Sequence, residues 1–417
     1  PRWLARFSGE FTEFAVAEIE SIVESLHPGW RCNVQPLPSS EEHLRHPGYF
    51  PAFHWVDLPD EGVARGICEV SILVRCIVDV WAHAETHDAL AKALAAKVSA
   101  DPDVLGPLLT PSATWCVRME AYGRVVAMPE QLQLFDGMRE ALDRIPGPVN
   151  LGNPSVVLSL VEDSSPVGSK THVPTSVSRV WFGRRIATAR RGLSEKLKLP
   201  SRCYIGRTTM APDIALIMAN CGKVGPHRLV LDPFVGTGGV LIACTALGAH
   251  VMASDANLET LHGRSLEEQQ RRNCPFRCPR RPPPAVCSIA STCQQYGYPA
   301  PLGLVGGDVS SGMWARRGWV DAIVTDPPYG AREMVRTRGA EETSYDAVGD
   351  LLCALVDLAA HLLTPGGRLV FWAPVDPTCP RFEPPPSPLI HIATCEHKLH
   401  GSRRRALIVL EQPKPPP

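Results

Sequence analysis

The sequence predicts an α/β protein in two parts: an α+β block over residues 1–175, then a wound, mainly parallel sheet over residues 176–417 that closes on an antiparallel hairpin. Two observations carry this. From Trp181 onward strand-like runs alternate with helical ones: LVLDPF, a helix from Gly238 to Leu247, HVMASD, a helix from Leu258, LGLVGGD, DAIVTDPP, a helix near 346–363, and RLVFWAP. Such alternation means βαβ units joined by right-handed crossovers. The last two runs, LIHIATCEHKL and ALIVLEQ, lie too close together for a parallel crossover and so pair antiparallel at the sheet edge.

The first block is read from its own patterns. FTEFAVAEIESIVESL has apolar residues at helical spacing, YFPAFHWVDLP is an aromatic-rich strand, and a β-branched run between two helical patterns follows. A strand in ATWCVRMEAYG, a helix over 129–145 and a strand in NPSVVLSLVED complete it, and the Ser/Pro/Gly loop that begins at Ser164 marks the joint near residue 175.

Composition narrows the class. The 417 residues are 44% apolar, enough for two or three cored domains, and no run reaches the roughly 18 apolar residues that a membrane span needs. With 42 basic and 43 acidic residues, a polyanionic partner must be met by a local patch and not by net charge. The 14 cysteines show no disulfide-framework spacing, which suits reduced thiols and a cytoplasmic location.

LVLDPFVGTGGVL is a buried strand ending in Asp232, then a glycine turn with Phe234, Gly236, Thr237 and Gly238, then a helix start. The glycines let backbone approach a ligand, and the helix aims unsatisfied N–H groups at it. Asp255 closes the second strand 23 residues beyond Asp232, placed to accept ribose hydroxyls, and Asp308 closes the third, placed to take an adenine amine. Each acid could instead be a turn or helix-capping residue. Three strand-terminal acids in order suit a cofactor with methionyl, ribosyl and adenyl ends better than a dinucleotide, which makes S-adenosylmethionine the expected cofactor.

The fourth strand ends in DPPYG. Two prolines cannot extend a central strand, so Asp326, Pro327, Pro328 and Tyr329 form a stiff turn at the carboxyl edge. An exocyclic amine on a nucleobase is a poor nucleophile. Accepting its N–H bonds on the Asp326 carboxylate and the Pro327 carbonyl would aim the nitrogen at a methyl donor, with Tyr329 stacked on the base. The pairing of glycine turn and DPPY resembles the amino-methyltransferases, whose targets include adenine, cytosine, guanine and glutamine nitrogens.

Further segments narrow the resemblance. RVWFGRRIATARRGLSEKLKLPSRCYIGRTTMAPDIALIMANCGKV, then LDPFVGTGGVLIA, QQYG, DPPYGARE, CEHKL and SRRRALIVLE, are similar to the catalytic subunit of the eukaryotic tRNA (guanine-10-N2)-methyltransferase family; the first block resembles that family's ferredoxin-like and THUMP region, a tRNA-binding module. The resemblance implies a Rossmann-like class I methyltransferase domain, tRNA as substrate, and a small zinc-binding activator subunit as partner. It carries Thr208, Thr209, Asp232, Gly236, Gly238 and Asp255 over to the cofactor, and the DPPY residues to the base. Residues 184–207 hold eight cations, Arg184, Arg185, Arg190, Arg191, Lys196, Lys198, Arg202 and Arg207, against one acid, a candidate phosphate-contacting stripe that Arg332 would extend. The insertion near 273–290 carries Cys274, Cys278 and Cys287, with Cys293 beyond it, at spacings that match no common zinc module, so no metal is expected. The alternatives are a DNA adenine or protein glutamine methyltransferase with the same motifs, or a catalytically silent tRNA-binding scaffold.

Overall fold

The computed structural model describes residues 1–37, 52–164, 179–189, 192–206, 209–265, 286–328, 335–337, 340–342, 345–375, 382–399 and 403–415. They fall into two compact units: Pro1–Thr12, Leu26–Glu69 and Leu73–Ala189 form the first, and Glu13–Ser25, Val70–Ile72 and Arg190–Pro417 the second.

The first unit is built on a seven-stranded sheet in the order β2-β3-β1-β4-β7-β6-β5. Its strands are β1 (Arg2–Phe7), β2 (Asn33–Pro36), β3 (Phe53–Asp57), β4 (Val74–Ala84), β5 (Trp115–Tyr122), β6 (Val156–Asp163) and β7 (Arg179–Thr188). All pair antiparallel except β5 with β6. Strand β7 lies between β4 and β6, so the unit runs to Ala189, past the boundary expected near residue 175. The helix His87–Ala100, capped by the Thr86 side chain, lays Leu90, Leu94 and Val98 against Leu158, Leu160 and Phe182. The helix expected over 129–145 is two pieces, Met128–Gly137 and Arg139–Leu142, broken where Gly137 and Met138 end the first.

The second unit carries the α/β sheet. Its strands are β8 (Leu229–Asp232), β9 (His250–Asp255), the two-residue pair β10 (Arg264–Ser265) and β11 (Val286–Cys287), then β12 (Gly303–Gly306), β13 (Val320–Thr325), a short ladder of β14 (Val335–Thr337) and β15 (Ala340–Glu342), then β16 (Leu363–Val375), β17 (Ile390–Lys398) and β18 (Arg404–Glu411). The main sheet runs β12-β9-β8-β13-β16-β18-β17. The strands from β12 to β16 are parallel, and β18 inserts antiparallel between β16 and the edge strand β17, as the short connection required. The sheet order reverses between β8 and β13, the switch point at which open α/β sheets bind ligands. Helix Tyr345–Leu362 packs Leu351, Leu352, Leu355 and Val356 on Ile323, Leu369 and Phe371.

A helix from the first residues of the chain belongs to this second unit. Ala15–Leu26 buries Glu18, whose carboxylate accepts from Ser71 Oγ (2.7 Å), Ile72 N (2.9 Å) and Asn220 Nδ2 (2.8 Å). Buried Arg368 of β16 reaches the same helix at Ser21 Oγ (2.7 Å) and Glu24, and also donates to the Cys221 carbonyl (2.9 Å) and Glu411 (2.8 Å). A buried charge stays ionised only when so surrounded.

Candidate active site

The site is assembled at the carboxyl ends of neighbouring strands. The β8 strand delivers Asp232, which is buried and accepts from Thr325 Oγ1 (2.5 Å) at the end of β13 and from Phe234 N (3.1 Å). Burial pushes its carboxyl up to about 7; the two hydrogen bonds oppose this and the nearby carboxylates Asp255 and Asp326 reinforce it. The turn that follows needs glycine at two positions: Gly236 has φ +50° and Gly238 φ +81°, the left-handed region that side chains resist. Among the described residues nothing lies within 4 Å of where a Gly236 Cβ would stand, so its backbone is open on that side. Gly238 then caps the helix Gly239–Ala246.

Around this turn the other expected residues take definite places. Asp255 ends β9 and accepts from Gly236 N on one oxygen (2.8 Å) and from Asn257 N on the other (2.7 Å), while the helix beyond is capped by Asn257 itself. The acid therefore braces the glycine turn and does not cap the helix. Asp308, two residues past β12, caps the short 3-10 turn Val309–Ser311; Ser310 donates to its Oδ1 from both N–H (2.8 Å) and hydroxyl (2.9 Å). Thr209 accepts from Gly206 N (2.6 Å) and lies 2.7 Å from the Thr237 hydroxyl, which ties the segment before the sheet to the glycine turn. Gln295 and Tyr204 support that segment: Gln295 accepts from Cys203 N (2.9 Å) and Tyr204 donates to the Thr260 carbonyl (2.8 Å).

Asp326 follows directly on β13, which pairs with β8 through Ala322–Val230 and Ile323–Leu231. Asp326 and the glycine turn thus share one edge of the sheet on adjacent strands. Pro327 is buried and Pro328 partly so. Tyr329, Thr208, Arg190, Arg191, Arg207 and Arg332 lie outside the described residues, as do Cys274 and Cys278.

The expected cationic stripe is not continuous. Arg184 and Arg185 lie on β7 in the first unit and are spent on ion pairs, Arg184 with Glu61 (2.7 Å) and Arg185 with Glu120 (2.5 Å). Arg202 is 1% exposed, so it cannot face a phosphate backbone; burial disfavours its charge and contact with Tyr296 offsets this. Lys196 and Lys198 remain as partners, one 4.3 Å from the Tyr298 ring centroid and the other paired with Glu195. Cys287 and Cys293 are buried thiols in β11 and the helix Ile289–Tyr296, and no metal-holding cluster occurs among the described residues.

One neighbour of the site carries no motif. Arg405 of β18 sits 3.9 Å from the Asp326 carboxylate and over the Trp372 ring, 3.8 Å from its centroid. The segment SRRRALIVLE that holds it belongs to the family resemblance without marking Arg405 out; alternation does, since Arg404 is exposed and Arg405 turns to the opposite face.

Known proteins resemble the chain along nearly its whole length. A family model described as a Tmrp11 THUMP N-terminal domain matches residues 1–191, and one described as an RMKL-like methyltransferase domain matches residues 200–374. The tRNA (guanine(10)-N(2))-methyltransferase TRMT11 of Bos taurus is 31% identical over 99% of this chain and 88% of its own. The Homo sapiens protein of the same name is also 31% identical with the same coverage. Among solved structures, TrmN from Thermus thermophilus aligns over 99% of this chain and 100% of its own at 17% identity, with a TM-score of 0.40.

Proposed function

The chain belongs to the TRMT11 family of tRNA (guanine(10)-N(2))-methyltransferases, and from that premise we propose that it transfers a methyl group from S-adenosylmethionine to the exocyclic N2 of guanine 10 in tRNA. The observation that carries this reading is the placement of Asp326 and the glycine turn on one sheet edge, one strand apart.

The residues around that turn fit the cofactor chemically. Backbone at Gly236 is open on its Cβ side, Asp232 and Asp255 end β8 and β9, and Asp308 lies two residues past β12, a donor and acceptor set suited to a cationic, ribosyl, adenine-bearing molecule. In this reading Phe234, Gly236, Thr237 and Gly238 cradle it, with Thr209 at the side toward the preceding segment and Thr208 assigned to the cofactor by the family resemblance alone. S-adenosylmethionine supplies an electrophilic methyl group. Asp326 and the Pro327 carbonyl accept the two N–H bonds of the base amine and direct its lone pair, and Tyr329 holds the flipped ring by stacking. The Asp326 carboxylate would stabilise the positive charge that develops on N2 during transfer, and the surplus N2 proton would leave toward that carboxylate or solvent, with S-adenosylhomocysteine as the other product.

The first unit, with its THUMP match, captures the tRNA, and Lys196 and Lys198 together with Arg190, Arg191, Arg207 and Arg332 contact phosphates. A small zinc-binding activator subunit completes the enzyme. What favours that partner is the β12 edge of the sheet, where Leu258, Leu302 and Val305 are exposed together.

Nucleoside mass spectrometry of tRNA incubated with chain, partner and cofactor tests the reaction: N2-methylguanosine is expected with the native chain. The Asp326→Ala variant is expected to lose transfer by about 100- to 1000-fold while S-adenosylmethionine binding by calorimetry stays within about twofold. Retained turnover in that variant removes Asp326 from its assigned role.

A further inference from the structure

A carboxylate that must accept an amine at a fixed angle needs something to hold it at that angle. Asp326 stands at the end of β13, where its backbone is stiffened by the prolines that follow, but its side chain still has two rotatable bonds. Arg405 supplies one constraint on it. Its guanidinium is 3.9 Å from the Asp326 carboxylate, inside ion-pair range and beyond hydrogen-bond length, so it attracts the carboxylate without consuming one of its acceptor positions. The guanidinium is itself fixed from below. Arg405 stands opposite Pro374 in the β16–β18 ladder, which makes Trp372 its diagonal neighbour on the same face. The guanidinium carbon lies 3.8 Å from the Trp372 ring centroid, a stacking that suits the planar cation.

That platform does not move easily. Trp372 is fully buried, its indole N–H donates to Met218 Sδ (3.0 Å), and Phe14 meets its ring edge-on at 5.7 Å between centroids. Among the described residues the Arg405 Nε is buried with no hydrogen-bond partner, a costly arrangement for a residue whose task were only to stitch strands together. The surrounding charge gives the cation a second use. Asp232 and Asp255 share the sheet edge with Asp326, and the other two carboxylates add to the burial that disfavours the ionised form of Asp232. Arg405 is a cation set against them.

We propose that Arg405 is a positioning residue for the transfer reaction, holding the Asp326 carboxylate in the direction from which it accepts the substrate amine. The inference rests on the reading of Asp326 given under the proposed function. It is tested on the full chain with its partner, by steady-state kinetics on tRNA for Arg405→Gln, Arg405→Lys and Asp326→Ala, with thermal melting and S-adenosylmethionine calorimetry for each. Arg405→Gln is expected to lower kcat about 10- to 100-fold, the scale of a misplaced reacting group, with KM for tRNA and cofactor affinity within about twofold of native. Arg405→Lys, which keeps the charge and loses the planar fork, is expected to fall between the two. Should the Gln variant fail to fold, the Lys variant decides: a several-fold loss confined to kcat supports the inference, and native kcat overturns it. Native kcat in Arg405→Gln with an inactive Asp326→Ala overturns the role of Arg405 and leaves Asp326 in place. A loss confined to KM or to cofactor affinity also overturns it. Native turnover in Asp326→Ala instead brings down the reading on which the inference rests.

Discussion

At the scale of single residues, Asp232 has the most readable electrostatics. Its carboxyl is raised to about 7 by burial, against an ordinary value of 3.8. Between those values the folded state holds a proton that the unfolded state has released, so stability falls as pH rises from about 4 to about 7 and is level above. Replacing the carboxyl by an amide removes that dependence. Asp232→Asn is therefore expected to flatten the pH profile of melting temperature over this window, measured by differential scanning fluorimetry; an unchanged slope would show that other groups set it. The acid and glycine positions of the site are legible in the sequence because each sits at the end of an apolar run, where strand pattern and turn chemistry coincide. Arg405 is not, because its partners Trp372 and Asp326 lie 33 and 79 residues away and only the strand register brings them together. The cation stripe breaks up for a related reason: charge density along a chain does not tell which guanidinium groups will be met by acids, as Arg184 and Arg185 are, or buried, as Arg202 is.

At the scale of elements, the helix Ala15–Leu26 shows the difference between recognising a segment and placing it. Its apolar spacing announces a helix. Nothing local announces that Glu18 will be buried against Ser71, Ile72 and Asn220, or that Ser21 and Glu24 will meet Arg368. Burial works to raise the Glu24 carboxyl, and Arg368 and Lys223 outweigh it, leaving it below the ordinary range. Arg368→Met leaves Glu24 and Glu411 short of their shared cation in a largely buried setting. We expect a loss of roughly 3 kcal/mol, within the range for breaking a buried pair, read from urea unfolding followed by tryptophan fluorescence. A change below about 0.5 kcal/mol, the level of an ordinary surface substitution, would mean that Lys223 and Lys414 compensate. The terminal hairpin is easier to foresee. A short connection admits only antiparallel pairing, and β17 and β18 pair that way.

At the scale of the whole molecule, the two units are not two consecutive stretches of chain. Residues 13–25 and 70–72 belong to the second unit although they precede most of the first. A fragment beginning at residue 190 therefore lacks the groups that satisfy Asn220 and Arg368 on one side of its sheet. We expect this fragment to be poorly folded when made alone, with a melting transition that is broad or absent in calorimetry. A sharp native-like transition would show that the helix is dispensable. Deleting the first block is consequently a blunt way to ask whether that block binds tRNA, since lost activity would also follow from a damaged catalytic sheet. Substitutions at exposed cations of the first unit, such as Arg118 or Arg144, ask the question without that confusion.

This threading bears on how the protein is made. The helix Ala15–Leu26 leaves the ribosome long before Arg368 and Glu411, which share the charge cluster at Glu24. At about 5–20 residues per second, that leaves an amphipathic segment waiting roughly 20–80 s for its resting place, long enough for a nascent-chain chaperone to be its first companion.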